Sequence, residues 1–179
     1  MAEKKEMVTL VDKSDNIIGY EDKGKAHDGR GKLHRAFSVF IFNGNGEMLI
    51  QKRAEGKRLW PGYWANACCS HPKEGEGYAE AAEKRLKDEL GFTTRLRPLF
   101  KFQYRAAYGD RGSESEMDQV FSGTYDGKVD ANPGEVAEWK FVDVTELQKD
   151  VKRNPDKYAP WFREALGKVI SHVWMRQNL

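Results

Sequence analysis

The tetrapeptide Asn43-Gly44-Asn45-Gly46 restricts the fold of this chain more than any other feature of its sequence. Asparagine and glycine enter left-handed backbone conformations at least cost, and tight turns between strands demand such conformations. The turn is flanked by residues 36–42, an apolar run rich in β-formers, and by residues 48–53. That arrangement predicts an antiparallel hairpin, the second strand returning beside the first.

Around the hairpin the chain reads as strands with a few helices. Residues 7–11 predict a short first strand, ended by the turn Lys13-Ser14-Asp15-Asn16, and the polar, glycine-bearing stretch 21–33 predicts a loop. Residues 63–71 read as extended. Residues 77–90 predict a helix, because Tyr78, Ala82, Leu86 and Leu90 share one stripe and Gly91 supplies a stop. Residues 99–107, 117–125 and 139–142 predict further strands. A long amphipathic helix follows Pro160, with Phe162, Leu166, Val169, Ile170 and Val173 on its buried face. This mixture predicts an α+β or α/β/α fold, residues 1–179 forming one domain.

The bulk properties narrow the class. A chain of 179 residues with 39% apolar and 32% charged residues can bury a core and does not have the composition of a disordered protein. No apolar run approaches a membrane span, and the N-terminus lacks the apolar centre of a secretory signal. A net charge of +2 is no nucleic-acid footprint. The two cysteines, Cys68 and Cys69, are sequence neighbours and cannot staple distant elements. Free thiols fit a reducing compartment, so a cytoplasmic protein is expected, with a monomer as the default.

Three groups of residues carry chemistry. In the extended segment Asn66-Ala67-Cys68-Cys69-Ser70-His71-Pro72, positions two apart share a face, so Cys69 and His71 point one way and Cys68 the other. On their own, both cysteines read more readily as small buried hydrophobes than as catalytic groups. Glu114 and Glu116 are likewise two apart and suit a hard metal ion or acid–base work, although, taken alone, a solvated acidic loop explains them better, with Asp110, Arg111 and Asp118 nearby. His27 and His34 fall in the glycine-rich loop. Of the four histidines, three lie in these segments, and three imidazoles with two carboxylates make a mixed N/O donor set for Zn²⁺, Mn²⁺ or Mg²⁺. His172, in the last helix, reads as structural.

The helix and its approach resemble a degraded Nudix box, whose pattern is G-x5-E-x7-R-E-U-x-E-E-x-G-U with U aliphatic. Ser70 stands at the first Gly, Glu76 matches the first Glu, Lys84 replaces Arg and Arg85 replaces the next Glu. Leu86, Glu89 and Gly91 match, Asp88 stands for Glu, and Phe92 takes the last apolar place. Arg85 and Glu89 are four apart and project from one helix face. A carboxylate holding Mg²⁺ beside an arginine holding phosphate oxygens suits binding of a diphosphate better than its hydrolysis.

The segment Trp60-Pro61-Gly62-Tyr63-Trp64-Ala65-Asn66-Ala67-Cys68-Cys69-Ser70-His71-Pro72 resembles that of type I isopentenyl-diphosphate isomerases, and the likeness runs from Lys23 to about Trp161. It takes in the degraded helix, Tyr104-Arg105-Ala106, Glu114-x-Glu116 and Pro160-Trp161. Ser70 departs from the bacterial pattern, which has Gly, and Cys68 adds a second thiol. The resemblance implies a Nudix-like α/β/α sandwich with a mixed β-sheet. It implies that His27, His34, His71, Glu114 and Glu116 bind one divalent metal, and that Glu89 holds a Mg²⁺ arriving with the diphosphate. Lys23, Arg53, Lys57 and Arg85 would contact that diphosphate. Cys69 and Glu116 would form the acid–base pair, Tyr104 would assist Glu116, and Trp161 would line the hydrocarbon pocket. The implied partner is a small diphosphate, not a nucleic acid or a membrane. The principal alternative is a Nudix pyrophosphohydrolase of a nucleotide diphosphate, against which Arg85 speaks. A non-catalytic sensing module is the other.

Overall fold

A computed structural model describes residues 6–177. Residues 1–5, part of the N-terminal stretch read above as lacking a secretory signal, lie outside the described residues. The elements in chain order are β1 (Met7–Val11), β2 (Ile17–Asp22), the short α1 (Lys23–Ala26), β3 (His34–Phe42), β4 (Met48–Arg53), β5 (Trp64–Ala65), β6 (Cys68–Ser70), α2 (Tyr78–Leu90), β7 (Arg97–Ala107), β8 (Ser113–Thr124), β9 (Val136–Val142), α3 (Val144–Arg153) and α4 (Pro160–Gln177).

Strand β3 is the hub of one mixed sheet. Along its whole length it runs parallel to β8, from His34↔Glu116 to Phe42↔Thr124. Its other edge is shared: β1 pairs at Leu10↔His34, β6 at Phe37–Val39, and β4 only at Ile41↔Leu49 and Phe42↔Met48. The expected hairpin therefore exists, but it is paired only at its tip. Beyond the tip β4 pairs with β5 at Gln51 and Lys52, while β9 accompanies β4 along its whole length, from Met48↔Val142 to Arg53↔Val136. The divergence of β3 and β4 puts β6, with its cysteines, between them.

The two faces of β3 feed two cores. Phe37, Val39 and Ile41 pack with Cys68 against Ala82, Leu86 and Leu90 of α2. Phe40 and Phe42 pack against Leu147 of α3 and Phe162, Leu166 and Val169 of α4. This is an α/β/α arrangement, as expected. Helix α2 ends at Gly91 in a left-handed conformation (φ 78°), where a Cβ would lie 2.7 Å from the Asp130 carbonyl. Only glycine lets the loop before β9 approach so closely.

Several boundaries differ from the sequence reading. Residues 21–33 hold the end of β2 and all of α1, not only loop. Strand β2 was not expected, because its apolar residues Ile17, Ile18 and Tyr20 are exposed rather than alternating in and out. Strand β8 begins at Ser113, before the expected 117, because buried Glu114 and Glu116 do not read as strand residues. Helix α3 was also missed, although Asp143 caps it by accepting from the Glu146 amide at 2.9 Å. No described helix is long and apolar enough to cross a membrane.

Candidate active site

His27, His34, His71, Glu114 and Glu116 each present a ligand atom within 4.8 Å of the others. Four different features bring them together. His27 caps the C-terminus of α1, His34 opens β3, His71 follows β6, and the two glutamates share one face of β8. His34 and Glu116 are register partners on the parallel pair, so the sheet itself sets their spacing. Gly112 (φ 140°) lets the start of β8 run against the His27 loop: a Cβ there would sit 2.4 Å from the His27 carbonyl, which accepts from the Ser113 amide at 2.9 Å.

The hydrogen bonds define what this group can do. His27 Nδ1 lies 2.6 Å from the Lys23 carbonyl and His34 Nδ1 lies 2.7 Å from the Lys32 carbonyl. A carbonyl only accepts, so both Nδ1 atoms carry a proton, and in the neutral ring each Nε2 is the atom that can bind a cation. His34 Nε2 and Glu114 Oε2 are buried and make no hydrogen bond. His27 Nε2 stands 2.8 Å from Glu114 Oε2, and His71 Nε2 stands 3.0 Å from Glu116 Oε1. Burial opposes charge on His27, but Glu114 outweighs it and holds the imidazole above its ordinary range. Burial, then the neighbouring His34, holds His71 well below its ordinary range and therefore neutral. Buried carboxylates facing unpaired imidazole nitrogens fit a divalent cation, which would neutralise charges that are costly in a dry interior.

The solvated-acidic-loop reading of Glu114-Ser115-Glu116 does not hold, since all three are buried within β8. Asp118 continues their face. It is 1% exposed, accepts from Ser38 Oγ at 2.7 Å, and burial, reinforced by Glu116, pushes its carboxyl well above the usual range. The spacing 114, 116, 118 was the signal that could have found it.

A cavity of about 590 Å³ opens beside the cluster. Its lining includes the apolar Leu59, the aromatic Tyr104 and Trp161, and the titratable Cys69 and Glu116. Tyr104 Oη donates to Glu116 Oε2 at 2.5 Å from the neighbouring strand β7, where the two are register partners. Burial would raise the Glu116 carboxyl, but His34, Glu114 and Tyr104 together hold it below its ordinary range. Burial, opposed only by Arg53, pushes the Cys69 thiol up to about 12, so it keeps its proton. Cys68 faces the other core, as the two-residue alternation requires. Trp161 is buried, edge-on to Trp60 at 5.4 Å, and under the Arg53 guanidinium at 5.2 Å.

The same lining carries five cations, Lys23, Arg53, Lys57, Arg58 and Arg85. Lys23 pairs with Glu6 at 3.0 Å. Arg53 donates to the carbonyls of Trp60 and Leu59 at 3.0 and 2.8 Å, so it also fixes the loop that follows Lys57. Arg58, which the sequence reading passed over, ties Gly24, Asp28 and Arg111 together. Arg85 donates to Glu89 Oε1 and to Glu135 Oε2, both at 2.6 Å. Glu89 thus stands behind Arg85, also accepting from Gln51 at 3.3 Å, and is not on the cavity wall. Within the box, Glu76 pairs with Lys84 at 2.9 Å. His172 lies apart, bonded to the Lys168 carbonyl at 2.8 Å.

Comparison with known proteins gives the family. A NUDIX domain profile matches residues 32–162. An isopentenyl-diphosphate Delta-isomerase 2 of Aromatoleum aromaticum is 44% identical over 93% of this chain and 87% of that protein. An isopentenyl-diphosphate Delta-isomerase of Serratia proteamaculans is 42% identical over 96% of this chain and 97% of that protein. Among solved structures, DR0079 from Deinococcus radiodurans superposes with a TM-score of 0.76 at 19% identity, covering 91% of this chain and 98% of that one, a likeness of fold. The chain belongs to the NUDIX domain family and, within it, to the isopentenyl-diphosphate Delta-isomerases.

Proposed function

We propose that this chain interconverts isopentenyl diphosphate and dimethylallyl diphosphate. The observation that carries the reading is a single cavity lined both by the cations Lys23, Arg53, Lys57 and Arg85 and by Cys69, Tyr104, Glu116 and Trp161. A five-carbon diphosphate combines the same two characters, an anionic head and a short apolar tail. The cations receive its phosphate oxygens by charge-assisted hydrogen bonds. The reaction adds a proton to the terminal alkene carbon and removes one from the neighbouring methylene, so it needs two proton-handling groups. Cys69 and Glu116 are those groups, one giving and one taking, with the roles exchanged in reverse. In the resting site the thiol is protonated and the carboxylate ionised, so one donor and one acceptor are in place. The intermediate is a tertiary carbocation. The indole of Trp161 stabilises it through its π face, and a dry wall keeps water from trapping it.

His27, His34, His71, Glu114 and Glu116 would hold a divalent ion (Mn²⁺, Zn²⁺ or Mg²⁺); Glu89 would hold a Mg²⁺ that accompanies the diphosphate only with the Arg85 guanidinium displaced, because Arg85 and Gln51 occupy its oxygens and it lies off the cavity wall. Bound, these ions supply charge neutralisation to the buried carboxylates and to the phosphate groups. Tyr104, bonded to Glu116, orients the carboxylate that exchanges the proton. Arg85, standing where a Nudix hydrolase places a carboxylate, favours retention of the diphosphate over its cleavage. Incubating the chain with isopentenyl diphosphate and Mg²⁺ tests the reading directly. Dimethylallyl diphosphate without free phosphate is expected. Phosphate release at ordinary enzyme rates, on the order of 1 per second or more, would favour the hydrolase instead.

A further inference from the structure

The cationic wall of the cavity contains two side chains that should repel one another. Lys57 comes from the loop after β4, and Arg85 from the middle of α2. Both face the cavity. What brings them together is Glu135, at the end of the loop that precedes β9. Its Oε2 accepts from Lys57 Nζ and, at 2.6 Å, from Arg85 Nη2. Glu135 itself is not on the cavity wall, so it lies behind the two cations rather than among them.

The backbone fixes Glu135 in that position. Its carbonyl accepts from the Ala54 amide at 3.1 Å, directly after the strand that carries Arg53. Its own loop hangs on the end of α2: the Asp130 amide donates to the Leu90 carbonyl at 3.0 Å, and the Asn132 amide to the Glu89 carbonyl at 2.8 Å. Asn132 closes the turn by accepting from the Glu135 amide at 3.0 Å. One residue therefore couples the loop bearing Lys57, the helix bearing Arg85 and Glu89, and the strand bearing Arg53. Glu89 holds Arg85 from one side only, and Lys57 is a long, flexible side chain whose rotamers would have to be ordered when an anion binds.

We infer that Glu135 is a positioning residue for the diphosphate end of the substrate, holding the Lys57 ammonium and the Arg85 guanidinium side by side so that both point at the phosphate oxygens. The inference rests on the reading of this wall as the diphosphate site. Glu135 does not touch the reacting carbons. Its removal acts on binding and leaves the proton-transfer machinery of Cys69, Tyr104 and Glu116 in place.

The test compares Lys57→Ala, Arg85→Ala, Glu135→Ala and Glu135→Gln by steady-state kinetics with isopentenyl diphosphate, and by calorimetric titration with inorganic pyrophosphate and Mg²⁺. For Glu135→Ala the expected result is a rise in KM of about tenfold to a hundredfold, the scale of one charge-assisted hydrogen bond, with kcat within about twofold. Pyrophosphate binding should weaken in parallel. Glu135→Gln keeps an acceptor of the same shape without the charge and should fall between wild type and Glu135→Ala. If Glu135→Ala does not fold, the Gln variant decides alone, by a KM raised at least threefold or not. The double variant Lys57→Ala/Glu135→Ala should lose less than the two single losses combined, because both remove one arrangement. A KM that is unchanged or lowered in the Glu135 variants, while Lys57→Ala and Arg85→Ala raise it, overturns the positioning role alone. If Lys57→Ala and Arg85→Ala leave KM and pyrophosphate binding unchanged, the reading of the wall as a diphosphate site fails.

Discussion

The indole Nε1 of Trp161 donates to Asn66 Oδ1 at 3.1 Å, joining the first turn of the last helix to the link between β5 and β6. Asn66 is fully buried, and its Nδ2 donates to the carbonyls of Val39 and Cys68 at 3.2 and 2.7 Å. One amide therefore sets the face of the indole relative to the strand that carries Cys69. Asn66→Ala leaves the buried indole N–H of Trp161 without this acceptor, at a cost of about 1–3 kcal/mol, and removes a donor from two strand carbonyls. The expected outcome is a melting temperature lower by several degrees, roughly 2–4 °C per kcal/mol for a chain of this size, together with a fall in kcat. A thermal melt indistinguishable from wild type would remove Asn66 from this role.

The two adjacent thiols should behave unequally. Cys69 lines the cavity and Cys68 packs against α2. Cys69→Ala should abolish isomerisation, whereas Cys68→Ala should keep most of it and lose about 1 kcal/mol of stability for the missing core atom. Because the Cys69 thiol is pushed up to about 12, its thiolate is scarce at neutral pH. Alkylation of Cys69 by iodoacetamide should be slow at pH 8 and accelerate as pH rises further, since the thiolate is the nucleophile. Rapid modification of Cys69 at pH 7, read by peptide mass spectrometry, would contradict the burial argument.

Removing a ligand from the histidine cluster should remove metal. His71→Ala protein, purified alongside wild type, is expected to contain less divalent ion by elemental analysis. Chelation of the wild type should lower its melting temperature, because an ion bound only by the native state stabilises it. Undiminished metal in His71→Ala would take that histidine out of the site.

Turnover in D₂O should carry solvent deuterium into the newly formed methyl group of dimethylallyl diphosphate, since the proton that is added comes from an exchangeable acid. An ammonium analogue of the carbocation should bind far more tightly than the substrate, because it carries the intermediate's charge. Product without deuterium, seen by NMR, would require a shielded internal proton shuttle. Equal affinity for analogue and substrate would put the carbocation in doubt.

Much of this site was legible in the chain before any coordinates. Alternation alone separated Cys69 from Cys68 and put Cys69 on the side of His71, because a strand sends successive side chains to opposite faces. The same rule paired Glu114 with Glu116, and Gly91 marked the end of α2 because glycine most readily takes the left-handed conformation that stops a helix. Local spacing fixes local direction, so these features needed no tertiary information. The convergence of His27, His34 and His71 is different. It depends on β3 running parallel to β8, on β6 inserting where β3 and β4 diverge, and on Gly112 bringing β8 against the His27 carbonyl. Asp118 and Glu135 stayed hidden for a related reason. A carboxylate reads as solvated surface until the structure shows it buried against Ser38 or wedged behind two cations. Burial and long-range pairing are properties of the packed chain, and only the tertiary structure decides which of its many charged residues leave water.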